Sequence, residues 1–248
     1  MEAQAQRAEF WTDLASAARA LVSQPAVPVF SIGAMLLPTA VPTSGQHSAV
    51  VSWATAFVNL AVSFVLLGWY GAERVFFQRH LKGTPVTFGH LLGLVPAFMG
   101  RFVALGVLCS IVLFASFALT FAADLTMHSP PDTPPAWFFV TLCALFVAGD
   151  FVLTFVTPAL AYTTRSAVHA LRIGFAMIRQ TWPRCALYVL CPPLALNVLH
   201  LIYPTRSVGL QLALTVVFVV AGLLAKGAIA AFYLRERGSY SDDGAGYM

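Results

Sequence analysis

The placement of the 14 Lys and Arg residues relative to long apolar runs constrains this chain more than any motif in it. Six runs of about 18 or more largely apolar residues, the length that crosses a bilayer as a helix, alternate with more polar connections. They lie at about 21–41, 49–71, 101–123, 136–162, 182–203 and 208–234. The connections 42–48 and 124–135 hold no Lys or Arg, and the connection after the fifth run holds only Arg206. The other thirteen fall on the opposite side of the alternation. Arg7 and Arg19 precede the first run, and Arg74, Arg79, Lys82 and Arg101 follow the second. Arg165, Arg172, Arg179 and Arg184 follow the fourth run, and Lys226, Arg235 and Arg237 lie at or near the end of the sixth. Cytoplasmic loops carry the excess of Lys and Arg, so six crossings with both termini cytoplasmic are predicted. An odd number of crossings would spoil the asymmetry.

Composition agrees. Of the residues, 59% are hydrophobic and only 10% charged, against about 25% charged in soluble domains, and the mean hydropathy is +0.79. A bilayer accepts this apolar surface; water would not. The net charge of +4 is spread over membrane-proximal connections without a basic domain, so anionic lipid rather than nucleic acid is the expected counter-charge. Cys109, Cys143, Cys185 and Cys191 form no CxxC pair and read as small packing residues, so no metal or other cofactor is expected. Residues 1–20 mix acidic and basic side chains without a compact apolar stretch, unlike a cleavable signal peptide. Over 8–20, Phe10, Trp11, Leu14 and Ala18 share a face, predicting a short interfacial helix. Pro25, Pro28 and Pro38 predict a kinked first span. The expected division is an interfacial segment 1–20, a six-span membrane domain 21–234 and a disordered cytoplasmic tail 235–248.

The two longer basic connections also resemble each other. TPVTFGHLLGLVPAFMGRFVALGVL (84–108) lies over TRSAVHALRIGFAMIRQTWPRCALYVL (164–190) at an offset of about 80. In each, an amphipathic stretch ends near an aromatic, Phe102 or Trp182, that opens the next span. Phe88, Leu91, Leu92, Val95 and Met99 make one helical stripe, and Val168, Leu171, Phe175 and Ile178 the other. The predicted architecture is therefore an all-α membrane protein of six transmembrane helices with a duplicated span–amphipathic helix–span unit.

The stretch 150–190 carries three further features: a Pro-containing span end (Thr157-Pro158-Ala159-Leu160), a helix start from Ser166 to Ala170, and Trp182 near the next span. In these it resembles a broad group of bacterial integral membrane proteins. The group includes the membrane domain attached to some glycerophosphodiester phosphodiesterases and related stand-alone proteins. The resemblance covers about 160 residues. It implies the fold, a bacterial inner-membrane location, and an accessory or lipid-associated role. It carries over no catalytic residue, because no phosphodiesterase domain is expected within these 248 residues.

Asp150 lies deep in the fourth span, where a charge costs at least about 2.5–3.5 kcal/mol. Lys226 in the sixth span lies within roughly 5 Å of the same depth at about 1.5 Å of rise per residue, so an Asp150–Lys226 pair is predicted. Its readings are a packing clamp, a proton or cation site at Asp150, or a Lys226 that snorkels unpaired. Asn59 and Asn197 are polar residues inside spans, suited to interhelical hydrogen bonds or to a lined cavity. Arg165, His169, Arg172 and Arg179 fall at about 0°, 40°, 340° and 320° on a helix turning about 100° per residue. This basic stripe beside an apolar one predicts contact with lipid headgroups, against the blander reading of generic anchoring. No HExxH, GxSxG, P-loop or paired-Cys pattern is present, and the Gly149-Asp150 pair lacks the second carboxylate of an intramembrane aspartyl protease. The expected role is non-enzymatic, lipid-associated or complex-stabilising; the alternative is a small transporter or permease subunit using Asp150.

Overall fold

A computed structural model describes residues 2–40, 49–125, 136–192 and 208–242, and all regular structure among them is helical. The helices are α1 (Glu2–Ser23), α2 (Ala26–Ala40), α3 (Ala49–Leu81), α4 (Phe88–Leu125), α5 (Ala136–Tyr162), α6 (Ala167–Thr181), α7 (residues 186–192) and α8 (Val208–Asp242). Three segments are long and apolar enough to cross a bilayer: Phe57–Leu81 in α3, Phe88–Val112 in α4 and Leu212–Arg237 in α8. The α1–α2 pair makes a fourth if it is taken as one broken crossing, and Val147–Tyr162 of α5 is a shorter apolar stretch. Much of the expected fifth span, including Asn197, lies outside the described residues, as do His47 and His128.

Three expectations change. The first span is not one kinked helix: α1 ends at Ser23, and α2 leaves it at 88°. Pro25 has no N–H and disfavours helical backbone at Gln24, so the chain turns there. In the first repeat, the amphipathic stretch is not a separate helix, because α4 runs unbroken from Phe88 through Pro96 into its apolar half. In the second, α6 stops at Thr181, with Trp182 extended (φ −68°, ψ 133°) before Pro183, as a residue preceding proline prefers. Finally, α8 continues to Asp242, so residues 235–242 are helical where a tail was expected.

Buried residues crowd into one half of the bundle. Trp69, Phe76 and Phe77 of α3, Phe98 and Phe102 of α4, Phe155 and Leu160 of α5, and Leu223 and Phe232 of α8 are all buried. In the other halves exposed apolar side chains are described: Phe57 is 67% exposed, Phe114 74% and Val217 53%. An apolar helix face with no protein neighbour is what hydrocarbon tolerates and water does not. All the described Lys and Arg lie toward the packed half or in the connections next to it.

Glycines set the closest contacts. A Cβ at Gly68 would stand 2.4 Å from the Val95 carbonyl oxygen, one at Gly174 2.5 Å from Val156 Cγ2, and one at Gly227 2.4 Å from Ala17 Cβ. Thus α3 meets α4, α6 meets α5 and α8 meets α1 at backbone distance, the packing that small residues permit between membrane helices. At the end of α3, Gly83 (φ 70°) completes a Schellman turn: its N–H donates to His80 O at 3.0 Å, and Thr84 N–H donates to Arg79 O at 2.9 Å.

Gly68→Ala is expected to destabilise the detergent-solubilised protein by about 1–3 kcal/mol, since the Val95 backbone has to move. Gly106→Ala, whose Cβ meets nothing within 4 Å, is expected to be neutral or stabilising. Thermal unfolding followed by tryptophan fluorescence compares the two, and equal midpoints would contradict the packing described.

Candidate functional site

The packed half holds three polar assemblies. The first is built on α3, where Glu73 and Arg74 are adjacent and only 3% and 2% exposed. The Glu73 carboxylate forms an ion pair with Lys226 of α8 through Oε2 and accepts from Ser31 Oγ of α2 through Oε1 at 2.6 Å. Trp69 Nε1 donates to Ser31 Oγ at 2.9 Å, closing a chain across three helices. Both cations border Tyr70. The Lys226 ammonium lies 4.2 Å from its ring centre and the Arg74 guanidinium 5.3 Å, and Arg74 also donates to the Tyr70 hydroxyl at 3.0 Å. Tyr162 of α5 donates to the Arg74 carbonyl at 2.9 Å. The buried cluster thus has one carboxylate for two cations; the Tyr70 ring face and hydroxyl offset part of the excess.

The Asp150–Lys226 pair is therefore corrected. Depth along the helices placed the two together, but Lys226 points to α3 rather than α5. Asp150 is exposed and has no ion pair among the described residues. Glu73 escaped notice because residues 72–101 read as a connection, whereas α3 continues through them to Leu81. The one available signal was the helical spacing that Glu73 shares with the aromatic positions Trp69, Phe76 and Phe77. Asn59 lies on α3 with its Oδ1 buried and without a hydrogen-bond partner.

The second assembly docks α1. Its buried stripe is Phe10, Asp13, Ala17, Ala20 and Leu21, while Trp11 is 66% exposed. Asp13 thus belongs to the inward face, not the solvent side. Arg235 of α8 grips its carboxylate with two bonds of 3.1 Å, and the Tyr188 hydroxyl of α7 donates to it at 2.5 Å. Glu9 adds a looser contact to Arg235 at 3.7 Å, and Arg184 bridges to Glu236 at 2.9 Å. Paired bonds between a guanidinium and a carboxylate fix orientation as well as charge.

The third is α6. Ser166 caps it by accepting the His169 N–H. Ala170, Gly174 and Met177 are its buried face, at about 140°, 180° and 120° around the axis counted from Arg165. His169, Arg172 and Arg179 are exposed on the opposite side, and Arg165, just before the extended Ser166 cap, is exposed at the start of the helix. Between the two faces lie Val168 and Phe175, each 54% exposed, at about 300° and 280°. Going round the helix, the surface passes from cations through exposed apolar side chains to protein contact. Arg101 of α4, a helix that packs against α6, is stacked 5.1 Å over Phe98. None of these five residues has a carboxylate partner among the described residues.

Among the described residues no group of His, Cys, Asp and Glu is placed to hold a metal ion. Cys109, Cys185 and Cys191 are free thiols. No protein family, curated protein or solved structure matches this chain.

Lys226→Met, which strands the buried Glu73 carboxylate, is expected to cost about 3–5 kcal/mol. Adding Glu73→Gln is expected to recover much of that loss, whereas adding Asp150→Asn is expected to be additive. A double-mutant cycle on thermal midpoints in detergent measures both couplings; coupling to Asp150 instead of Glu73 would reverse the assignment.

Proposed function

We propose that this is a multi-pass, non-enzymatic membrane protein that holds anionic phospholipid along α6. The observation that carries this reading is the three-sided surface of α6. A row of exposed cations without carboxylates sits beside exposed Val168 and Phe175, and the third side is anchored on the bundle by Ala170, Gly174 and Met177. A helix lying in the headgroup layer needs this order of surfaces: cations at the phosphates, apolar side chains at the acyl boundary, protein contact behind. Arg101, on the α4 helix that packs against α6, adds a cation without a carboxylate partner among the described residues.

The wider reading is six crossings with both termini cytoplasmic, in a bacterial inner membrane, with a duplicated span–amphipathic helix–span unit. Its copies are the second and third spans and the fourth and fifth, each pair with the amphipathic stretch between them. The gathering of basic residues at the packed half supports it, because an excess of Lys and Arg marks the cytoplasmic side. A relation to the membrane domain of glycerophosphodiester phosphodiesterases belongs to the same proposal and agrees with a lipid-associated role. A permease subunit working through Asp150 is the weaker reading, since that carboxyl lies on the exposed side of α5.

Native mass spectrometry in a mild detergent, on the parent beside an Arg165→Gln/Arg172→Gln/Arg179→Gln variant, tests the lipid site. Anionic lipid is expected to stay bound to the parent and to be lost from the variant; equal retention would reduce the stripe to an orientation signal. The topology is tested in cells with natural cysteines replaced by Ala. Ser44→Cys is expected to react with a membrane-impermeant maleimide from outside, and Thr84→Cys only after permeabilisation. The opposite pattern would invert the orientation.

A further inference from the structure

Beyond the α6 surface, the packed half contains a cleft of about 680 Å³, within the range of about 300–1,000 Å³ typical of small-molecule sites. One wall is the end of α3 with Gln78, Leu81 and Lys82, the other is α8 from Ala231 to Arg237, and Asp13 and Ser16 of α1 border it. Four charged side chains line it: Asp13, Lys82, Arg235 and Arg237. They are not equivalent. The Asp13 carboxylate is committed to Arg235 on both oxygens and to Tyr188, so those two charges neutralise each other. Lys82 and Arg237 come from different walls, and neither has a carboxylate partner among the described residues. Arg237 donates to Thr163 Oγ1, which steadies the guanidinium without neutralising it.

We propose that this cleft binds a phosphate monoester, with Lys82 and Arg237 holding the phosphate between the two walls. The two unneutralised cations match the two charges of a monoester dianion, and a guanidinium adds paired N–H donors suited to phosphate oxygens. The rest of the lining mixes polar Ser16 and Gln78 with apolar Leu81, Ala231 and Leu234, which leaves room for a small organic group on that phosphate. Tyr162 and Tyr233 have their hydroxyls committed elsewhere, to the Arg74 carbonyl and to Thr163, both at 2.9 Å. Their rings, edge to face with centroids 5.7 Å apart, are what they contribute to the wall. A monoester phosphate reaches the cleft as a water-soluble ester or as the headgroup of phosphatidate, and the same two cations serve for both.

The test uses the full chain in mild detergent, titrated with phenyl phosphate by calorimetry, and the full chain in nanodiscs containing phosphatidate or phosphatidylglycerol. Saturable binding of phenyl phosphate is expected. It should weaken at least about tenfold in Lys82→Gln/Arg237→Gln and stay unchanged in Arg7→Gln, an exposed α1 position outside both the cleft and the α6 row. Retention of phosphatidate over phosphatidylglycerol, lost in the same cleft variant and without phenyl phosphate binding, would support the site and identify the lipid as its source. Lys82→Gln alone, at an exposed position, gives a weakened site in a chain whose fold is undisturbed. Absence of saturable binding by both probes, or equal binding by the cleft variant, would overturn the proposal. Loss in the α6 variant alone would move the phosphate to the stripe and overturn it too.

Discussion

The ion pair between Glu73 and Lys226 is the contact on which the other helices converge. It joins α3 to α8 inside the bundle, and each partner recruits another helix. Glu73 takes Ser31 from α2, and Lys226 lies over Tyr70, whose hydroxyl and ring engage Arg74. Through the Arg74 carbonyl the same assembly reaches Tyr162 on α5. A buried ion pair is a poor source of net stability, because desolvation offsets much of the Coulomb attraction. It is a strong source of selectivity, since every arrangement that separates the partners leaves a charge in an apolar interior. The pair thus fixes which helices are neighbours more than how tightly they are held.

That division of labour fits the gathering of the described close contacts at one end of the bundle. Lipid chains are as apolar as Leu, so helices gain little from burying aliphatic side chains against one another in a membrane. Association needs close backbone approach or polar contact. Gly68, Gly71, Gly174 and Gly227 and the three polar assemblies all lie in the packed half. The opposite halves of α3, α4 and α8 present Phe57, Phe114 and Val217 with no comparable contact described.

Hydropathy made α3, α4 and α8 legible, and Ser166 and the Trp182-Pro183 step marked the two ends of α6. What hydropathy could not give was azimuth. Lys226 and Asp150 match in depth, yet depth is a one-dimensional coordinate, and the side of α8 that carries Lys226 depends on how three helices pack. The charges Glu73 and Arg74 looked like the start of a loop because the apolar run ends before them; a helix does not stop where its hydrophobicity does. The inward position of Asp13 is hidden for a related reason. Its counter-charge Arg235 lies 222 residues away, beyond any local pattern. The cleft was invisible in sequence because its cations, Lys82 and Arg237, belong to distant segments and each passes for an ordinary topogenic charge.

That same separation has a consequence for biogenesis. The first of the described helices is held by the last of them, since Asp13 of α1 is gripped by Arg235 near the end of α8. At ribosomal speeds of about 5–20 residues per second, roughly 10–45 s pass between the emergence of one partner and the other. During that interval only α3 and Tyr188 of α7 offer α1 part of its cover. The docking of α1 is therefore completed only when α8 arrives. Arrival of α8, and not insertion of any earlier span, is the event that closes the described bundle.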